Sequence, residues 1–251
     1  MGVALGDLDG DGRSDLTVTN FLGRSTIGFR RLPGSGPTFE DASAPLGLTR
    51  STRDVLGFGI ASVDFDGDGR LDLIQANGHV LDRARLGIPF EMRPTLLRGD
   101  AGRIPLVPPT TPGCDWFNRP ILGRGLAIGD LDGDCRPDVA VAVLRGPACL
   151  LRNESVGGTF AVVDVLNRFG RPAVGARLRI VSGRRTFAHD VTSGGSYLSS
   201  SEPCVFVGGC DGDRIERIEV DWPWGERQVW SDLKIPAGGR LRLIEGAPRS
   251  P

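Results

Sequence analysis

Twelve aspartates fall into three runs of one pattern. They are Asp7-Leu-Asp9-Gly-Asp11-Gly-Arg-Ser-Asp15, Asp64-Phe-Asp66-Gly-Asp68-Gly-Arg-Leu-Asp72 and Asp130-Leu-Asp132-Gly-Asp134-Cys-Arg-Pro-Asp138. Each run carries Asp at positions 1, 3, 5 and 9. Four carboxylates within nine residues must be neutralised or must repel one another. A hard divalent cation answers that need: Ca²⁺ takes about 6–8 oxygens at about 2.3–2.6 Å in loose geometry. Positions 1, 3 and 5 supply side-chain oxygens, while the position-7 carbonyl (Arg13, Arg70, Arg136) and the position-9 carboxylate close the shell. Glycine at position 6 permits the tight turn in the first two copies, whereas Cys135 makes the third the most divergent. Asp and Gly also favour metal-free turns, but three copies in one register favour the cation.

The segments around these runs must hold them in place. An EF-hand needs a bidentate Glu at position 12 and flanking helices, yet position 12 is Val18, Gln75 or Val141. The flanks, such as Gly59-Ile-Ala-Ser-Val63 with Leu73-Ile-Gln-Ala76, and Gly125-Leu-Ala-Ile-Gly129 with Val139-Ala-Val-Ala-Val143, are short β-branched runs. These read as strands, so each acidic run is predicted to be the bend of a β-hairpin.

The chain has 251 residues, 37 Gly and 18 Pro, and no long amphipathic helical period. That is length enough for one large or two modest domains. The net charge of −1 conceals a division: the acidic runs hold 12 of the 31 acids, leaving 30 basic residues against 19 other acids. Three divalent ions would bring the total to about +5, a scattered positive surface that does not read as a nucleic-acid interface. No apolar run has transmembrane length and no signal peptide is legible. Cys114, Cys135, Cys149, Cys204 and Cys210 leave at least one thiol unpaired; Cys204 with Cys210, or Cys135 with Cys114 or Cys149, are the pairings left open. No catalytic constellation stands out. His189-Asp190 lies near Ser193 and Ser196, but adjacent strand residues face opposite sides, and no nucleophile elbow, HExxH or phosphate-binding glycine loop accompanies them. His79, just after the second run, and Trp224, after Pro223, are candidate ligand-contact residues. Trp222 reads as core, and 83–124, rich in Pro and Gly, as a surface loop inserted in the second repeat.

A similar tail follows each run: Ile27-Gly-Phe-Arg-Arg-Leu32, Thr95-Leu-Leu-Arg98 and Ala148-Cys-Leu-Leu-Arg-Asn153. One repeat is thus about four strands, the size of a propeller blade. From about Val162 the pattern becomes simple alternation, as in Arg214-Ile-Glu-Arg-Ile-Glu-Val-Asp-Trp222, and predicts a small antiparallel sandwich. With their preceding strands (Gly57-Phe-Gly-Ile-Ala61, Gly123-Arg-Gly-Leu-Ala127), the acidic runs resemble FG-GAP/VCBS repeats, the calcium-binding blades of integrin-α-like propellers. Gly175-Ala-Arg-Leu-Arg-Ile180, Ser193-Gly-Gly-Ser-Tyr-Leu-Ser199, Phe206-Val-Gly-Gly209 and Val220-Asp-Trp-Pro-Trp-Gly225 resemble an ASPIC/UnbV domain, and the order of the two modules is that of the cartilage acidic protein family. The chain departs from that pattern where Trp224 replaces the usual Ser and Val207-Gly208 the usual Gly-Leu. The resemblance implies an all-β protein: a partial β-propeller over 1–161, in which three blades are fewer than a closed ring needs, then an ASPIC/UnbV sandwich over 162–247. It implies an N-terminally shortened form of a longer, secreted or envelope parent whose ring is completed by missing blades or by another chain. The function implied is non-catalytic, calcium-dependent binding of a protein or carbohydrate; an accessory or enzymatic role in enediyne-type biosynthesis is the alternative.

Overall fold

The structure, a computed structural model, describes residues 1–247 apart from Ser35, Gly157, 183–184, 211–213 and 236–238. Each acidic run is the bend of an antiparallel hairpin, because β-branched residues flank it on both sides. Strands β1 (Val3–Gly6) and β2 (Asp15–Val18) bracket the first, with β3 (Ile27–Arg31) and β4 (Phe39–Asp41) completing a four-stranded sheet in sequence order. A short helix, α1 (Leu48–Thr52), leads to β5 (Gly57–Val63), β6 (Asp72–Asn77) and β7 (Thr95–Leu97), which form the second sheet. The third is β8 (Gly123–Gly129), β9 (Asp138–Val143) and β10 (Cys149–Leu151). The expectation of four strands per repeat therefore holds in full only for the first. In the second, an isolated antiparallel bridge between Leu97 and Leu106 takes the fourth place; in the third, the described residues of the tail form no such pairing.

The three sheets stack face to face. Ala4, Leu8, Leu46 and Leu48 meet Ile60, Leu73, Leu97 and Ile104 between the first and second. Ala61, Val63, Ile74 and Ala76 meet Leu126, Ile128, Val139 and Val141 between the second and third. Gly59 permits a close approach of the second and third sheets: a Cβ there would lie 2.6 Å from Leu126 Cβ. Residues 83–124 do more than the expected surface loop. They contribute β7, and Met92, Leu97, Ile104 and Leu122 are buried; apolar side chains spaced irregularly along a Pro-rich path left no period to read.

The pairing scheme changes at Ala161. Strands β11 (Ala161–Leu166), β14 (Val205–Val207) and β17 (Arg240–Ile244) form a three-stranded sheet; β12 (Arg177–Ser182), β13 (Arg185–Asp190), β15 (Arg214–Asp221) and β16 (Gln228–Lys234) form one of four strands, in the order β13-β12-β15-β16. Both contribute to one core that includes Val163, Val165, Leu178, Ile180, Ile215, Ile218, Val220 and Leu243. Trp222 and Trp230 meet edge to face within it, with centroids 6.4 Å apart. The predicted all-antiparallel arrangement fails at one place: β17 runs parallel to β11, a long-range pairing that strand alternation does not specify.

The two halves are joined by the segment between β13 and β14, which crosses the first strand of each sheet. Val3 and Ser196 exchange backbone hydrogen bonds (3.2 and 2.6 Å), and Ile60 N–H donates to Ser196 Oγ (3.1 Å). Ile128 N–H donates to Ser201 Oγ (3.0 Å), and Glu202 N–H donates to the Ile128 carbonyl (2.8 Å). Polar edges of β1, β5 and β8 are satisfied by this one strap.

Candidate metal centre

In each acidic loop the carboxylates at positions 1, 3 and 9 converge. One oxygen from each of Asp7, Asp9 and Asp15 lies within 4.8 Å of the others, and Asp64, Asp66 and Asp72 and Asp130, Asp132 and Asp138 repeat the arrangement. Local chemistry produces it. Glycines at positions 4 and 6 adopt left-handed φ (Gly10 77°, Gly12 82°; Gly67 69°, Gly69 81°), folding the backbone so that N–H groups face inward. Asp11 and Gly12 N–H donate to the two oxygens of Asp7 (3.0 and 2.8 Å); Asp68 and Gly69 do the same for Asp64 (3.2 and 2.7 Å).

Position 9 fastens loop to sheet. Asp15 Oδ2 accepts from Leu8 N–H (3.0 Å) and Oδ1 from Arg31 N–H at the end of β3 (2.8 Å). Asp72 takes Phe65 and Gly99 (2.9 and 2.8 Å), and Asp138 takes Leu131 and Asn153 (2.9 and 2.7 Å). In all three, one oxygen holds the loop's second residue and the other the chain at or just beyond the end of the third strand.

Burial sets the electrostatics. Asp7, Asp15, Asp64, Asp72 and Asp138 are all buried. Desolvation, with neighbouring aspartates adding to it, pushes Asp7, Asp15 and Asp64 up to about 6 and Asp72 up to about 7; Asp11 is raised by the same causes. Position 5 stands apart from the converging triads. Asp11 pairs with Arg13, Asp68 lies 3.2 Å from Arg70, and Asp134 is 3.9 Å from Arg152. At position 7 the backbone N–H of Arg13, Arg70 and Arg136 donates to the position-5 carboxylate, at 2.9 Å each time.

The third loop keeps the same backbone despite its missing glycine. Cys135 takes φ 65°, near the 82° and 81° of Gly12 and Gly69, and its side chain is buried in the core between the second and third sheets. Packing thus stabilises a left-handed conformation that a cysteine would otherwise resist. Charge ties this loop to the C-terminal half: Arg240 lies 3.5 Å from Asp130, 2.9 Å from Glu202 and 2.9 Å from Asp164.

Sequence reasoning passed over a second set of residues. Arg98 lies 2.6 Å from Asp66, Arg152 lies 2.6 Å from Asp132, and Arg30 lies 3.6 Å from Asp9. Each directly precedes the position-9 donor, and the Arg closing every repeat's tail was the signal available. His79 sits in a turn: Leu81 N–H donates to its Nδ1 at 3.1 Å, and the ring is buried. Trp224 lies far from the loops in sequence and is almost fully exposed. All five cysteines are free thiols. Cys204 packs against the inter-sheet core and Cys210 within the C-terminal core, which separates that open pairing.

Residues 7–74 match the FG-GAP-like repeat family, and residues 167–250 match the family described as ASPIC and UnbV. The resemblance read from the acidic runs and from the C-terminal motifs is borne out. Among curated proteins the chain is similar to cartilage acidic protein 1 of Mus musculus, 28% identical over 232 residues, covering 90% of this chain and 34% of that protein. The Homo sapiens protein of the same name is 27% identical over 232 residues, with 90% and 33% covered. The chain therefore spans about a third of the length of these relatives.

Proposed function

We propose that this chain is a calcium-organised β-repeat protein that binds a protein or carbohydrate outside the cytoplasm and carries out no chemistry itself. One observation carries the metal reading. Asp7, Asp15, Asp64, Asp72 and Asp138 are buried and form no ion pair with a described basic side chain. Buried carboxylates in proteins are paired, protonated or metal-bound. In each of the first two loops two of them meet a half-buried third carboxylate, and in the third Asp138 meets the half-buried Asp130 and the exposed Asp132, with only oxygen donors facing one another. Such a donor set suits a hard cation. The carboxylates at positions 1, 3 and 9 would hold it, with position 5 released from its arginine to join them. Calcium, when bound, supplies the positive charge that the hairpin bends lack.

In this reading the three sheets are blades of a β-propeller and the two-sheet half is a small sandwich. The outer face of the first sheet, with cross-strand pairs Val3–Val18, Leu5–Leu16, Leu16–Phe29 and Val18–Ile27, leaves Val3 and Leu5 38% and 44% exposed. A further blade, of the parent polypeptide or of another chain, would pack there as the second sheet packs on the first's inner face. The adhesive role rests on the FG-GAP-like repeat and the ASPIC and UnbV match. No helix among the described residues is long and apolar enough to cross a membrane.

Thermal unfolding with and without EDTA tests the metal. At a calcium concentration about 100-fold above Kd, each loop adds about 2.7 kcal/mol. For a chain of this size that corresponds to about 5–10 °C per loop. A melting temperature unmoved by EDTA would remove calcium from the account.

A further inference from the structure

Away from the acidic loops, two turns at one end of the C-terminal half display aromatic rings to solvent. Phe169, in the turn after β11, is 75% exposed, and Trp224, in the turn between β15 and β16, is 97% exposed. Both line a cleft of about 260 Å³, shared with Asn167, Arg168, Pro172 and Glu245.

The rings stand on rigid supports. Asn167 Oδ1 accepts from Phe169 and Arg171 N–H (2.9 and 3.1 Å), and Gly170 N–H donates to the Asn167 carbonyl (2.8 Å). The Arg168 guanidinium lies 5.1 Å from the Phe169 centroid. Across the cleft, Arg227 clamps Asp221 through two hydrogen bonds (2.6 and 2.9 Å) at the base of the Trp224 turn. Glu245 joins the two turns. Its Oε2 accepts from Arg168 N–H (3.3 Å), and its Oε1 lies 2.9 Å from where a Cβ on Gly225 would stand. The hydrogen bonds fix the backbone that carries the rings, so the loop-ordering part of the cost of binding is already met.

We infer that this cleft binds a neutral saccharide, a contact surface that the calcium reading neither requires nor supplies. The chemistry of the lining selects that class. Ring faces stack on the apolar C–H faces of a pyranose, and a rim of donors and acceptors meets its hydroxyls. Among the described residues, the Asn167 amide NH₂ donates no hydrogen bond, the Arg168 guanidinium lies over Phe169 without an ion-pair partner, and Glu245 keeps acceptor capacity. Arg168 and Glu245 offset one another, so the lining favours neither an anion nor a cation. The apolar area is small and ringed by exposed Arg171, Gly225 and Glu226, unlike the roughly 800 Å² per partner of a stable protein interface. Its volume also falls below the about 300–1,000 Å³ of pockets for drug-sized ligands, which fits one or two sugar rings.

Affinity electrophoresis of the full chain tests this, in gels containing laminarin, xylan, galactomannan or hydroxyethylcellulose, with hyaluronan as the anionic arm. At least one neutral polysaccharide should retard the chain, and W224A and F169A should each weaken retardation about tenfold or more, the scale of losing an aromatic anchor. Both variants should melt with the parent, because the deleted rings touch solvent. No retardation by any neutral polysaccharide, equal retardation of W224A, or retardation by hyaluronan alone would overturn the assignment. Melting shifts in EDTA are read separately, so failure of either proposal leaves the other testable.

Discussion

At the scale of single residues, the buried aspartates make a pH prediction whose sign depends on the cation. An unfolded Asp titrates near about 3.9, whereas Asp7, Asp15 and Asp64 titrate at about 6 and Asp72 at about 7 in the folded chain. The metal-free fold thus binds protons more tightly than the unfolded chain. The stabilisation from these groups is complete below about pH 4 and is lost as pH rises through 6 to 7. His189 works the other way: burial lowers it to about 4, so its contribution is present above about 6.5 and lost on acidification. Four aspartates outweigh one histidine, so in EDTA the chain should melt higher at pH 5 than at pH 7.5. In excess calcium the order should reverse, because the cation requires the ionised carboxylates. Melting curves at the two pH values with EDTA and with calcium check both halves. A higher melting point at pH 7.5 in EDTA would mean that these carboxylates are not carrying protons. The aspartates were legible in the sequence because their spacing is local. Arg30, Arg98 and Arg152 were not assigned a role, since the end of the third strand, where each sits, lies at a different distance from its loop in every repeat.

At the scale of elements, the hairpins were legible and their covers were not. The β-branched flanks of Asp64–Asp72 announce β5 and β6, but nothing local shows that the turn after β14 lies on that loop. Gly208 makes this possible. A Cβ there would fall 2.0 Å from Asp64 Oδ2 and 2.9 Å from the Gly67 Cα. The motif Phe206-Val-Gly208-Gly209 could be read as a family signature, whereas its physical cause is the backbone of one element resting on the loop of another. Gly208→Ala should therefore push Asp64 out of its triad while leaving the first and third loops intact. The expected result is a calcium stoichiometry lower by one in isothermal titration calorimetry, with a stability cost of about 1–3 kcal/mol from overpacking. Unchanged stoichiometry would show that the second loop does not depend on this approach. The β11–β17 parallel pair was illegible for a related reason: its strands lie at opposite ends of the C-terminal half, and alternation assigns a strand's faces but not its partner.

At the scale of the whole molecule, the change of pattern near Val162 suggests two separable domains, yet the contacts across it bind them into one structure. Val162 and Phe206, from the C-terminal sheet, pack in the core between the second and third sheets. Ser196, Ser201 and Glu202 satisfy the edges of β1, β5 and β8. Arg177 reaches the Gly12 carbonyl at 3.4 Å, Ser14 bonds Asp190, and Arg240 reaches the third acidic loop. Unfolding the C-terminal half alone would uncover three strand edges, part of an apolar core and the cover of an acidic loop. Each hydrogen bond so lost is worth about 0.5–1.5 kcal/mol net, and with the apolar contacts the sum is comparable with the roughly 5–15 kcal/mol that separates a folded chain from an unfolded one. The halves should consequently unfold together, as one calorimetric transition whose van't Hoff and calorimetric enthalpies agree. Calcium, although it would bind only the N-terminal loops, should move that transition as a whole. Two resolved transitions, with only the first responding to calcium, would show that the strap between β13 and β14 rests on the sheets without holding them.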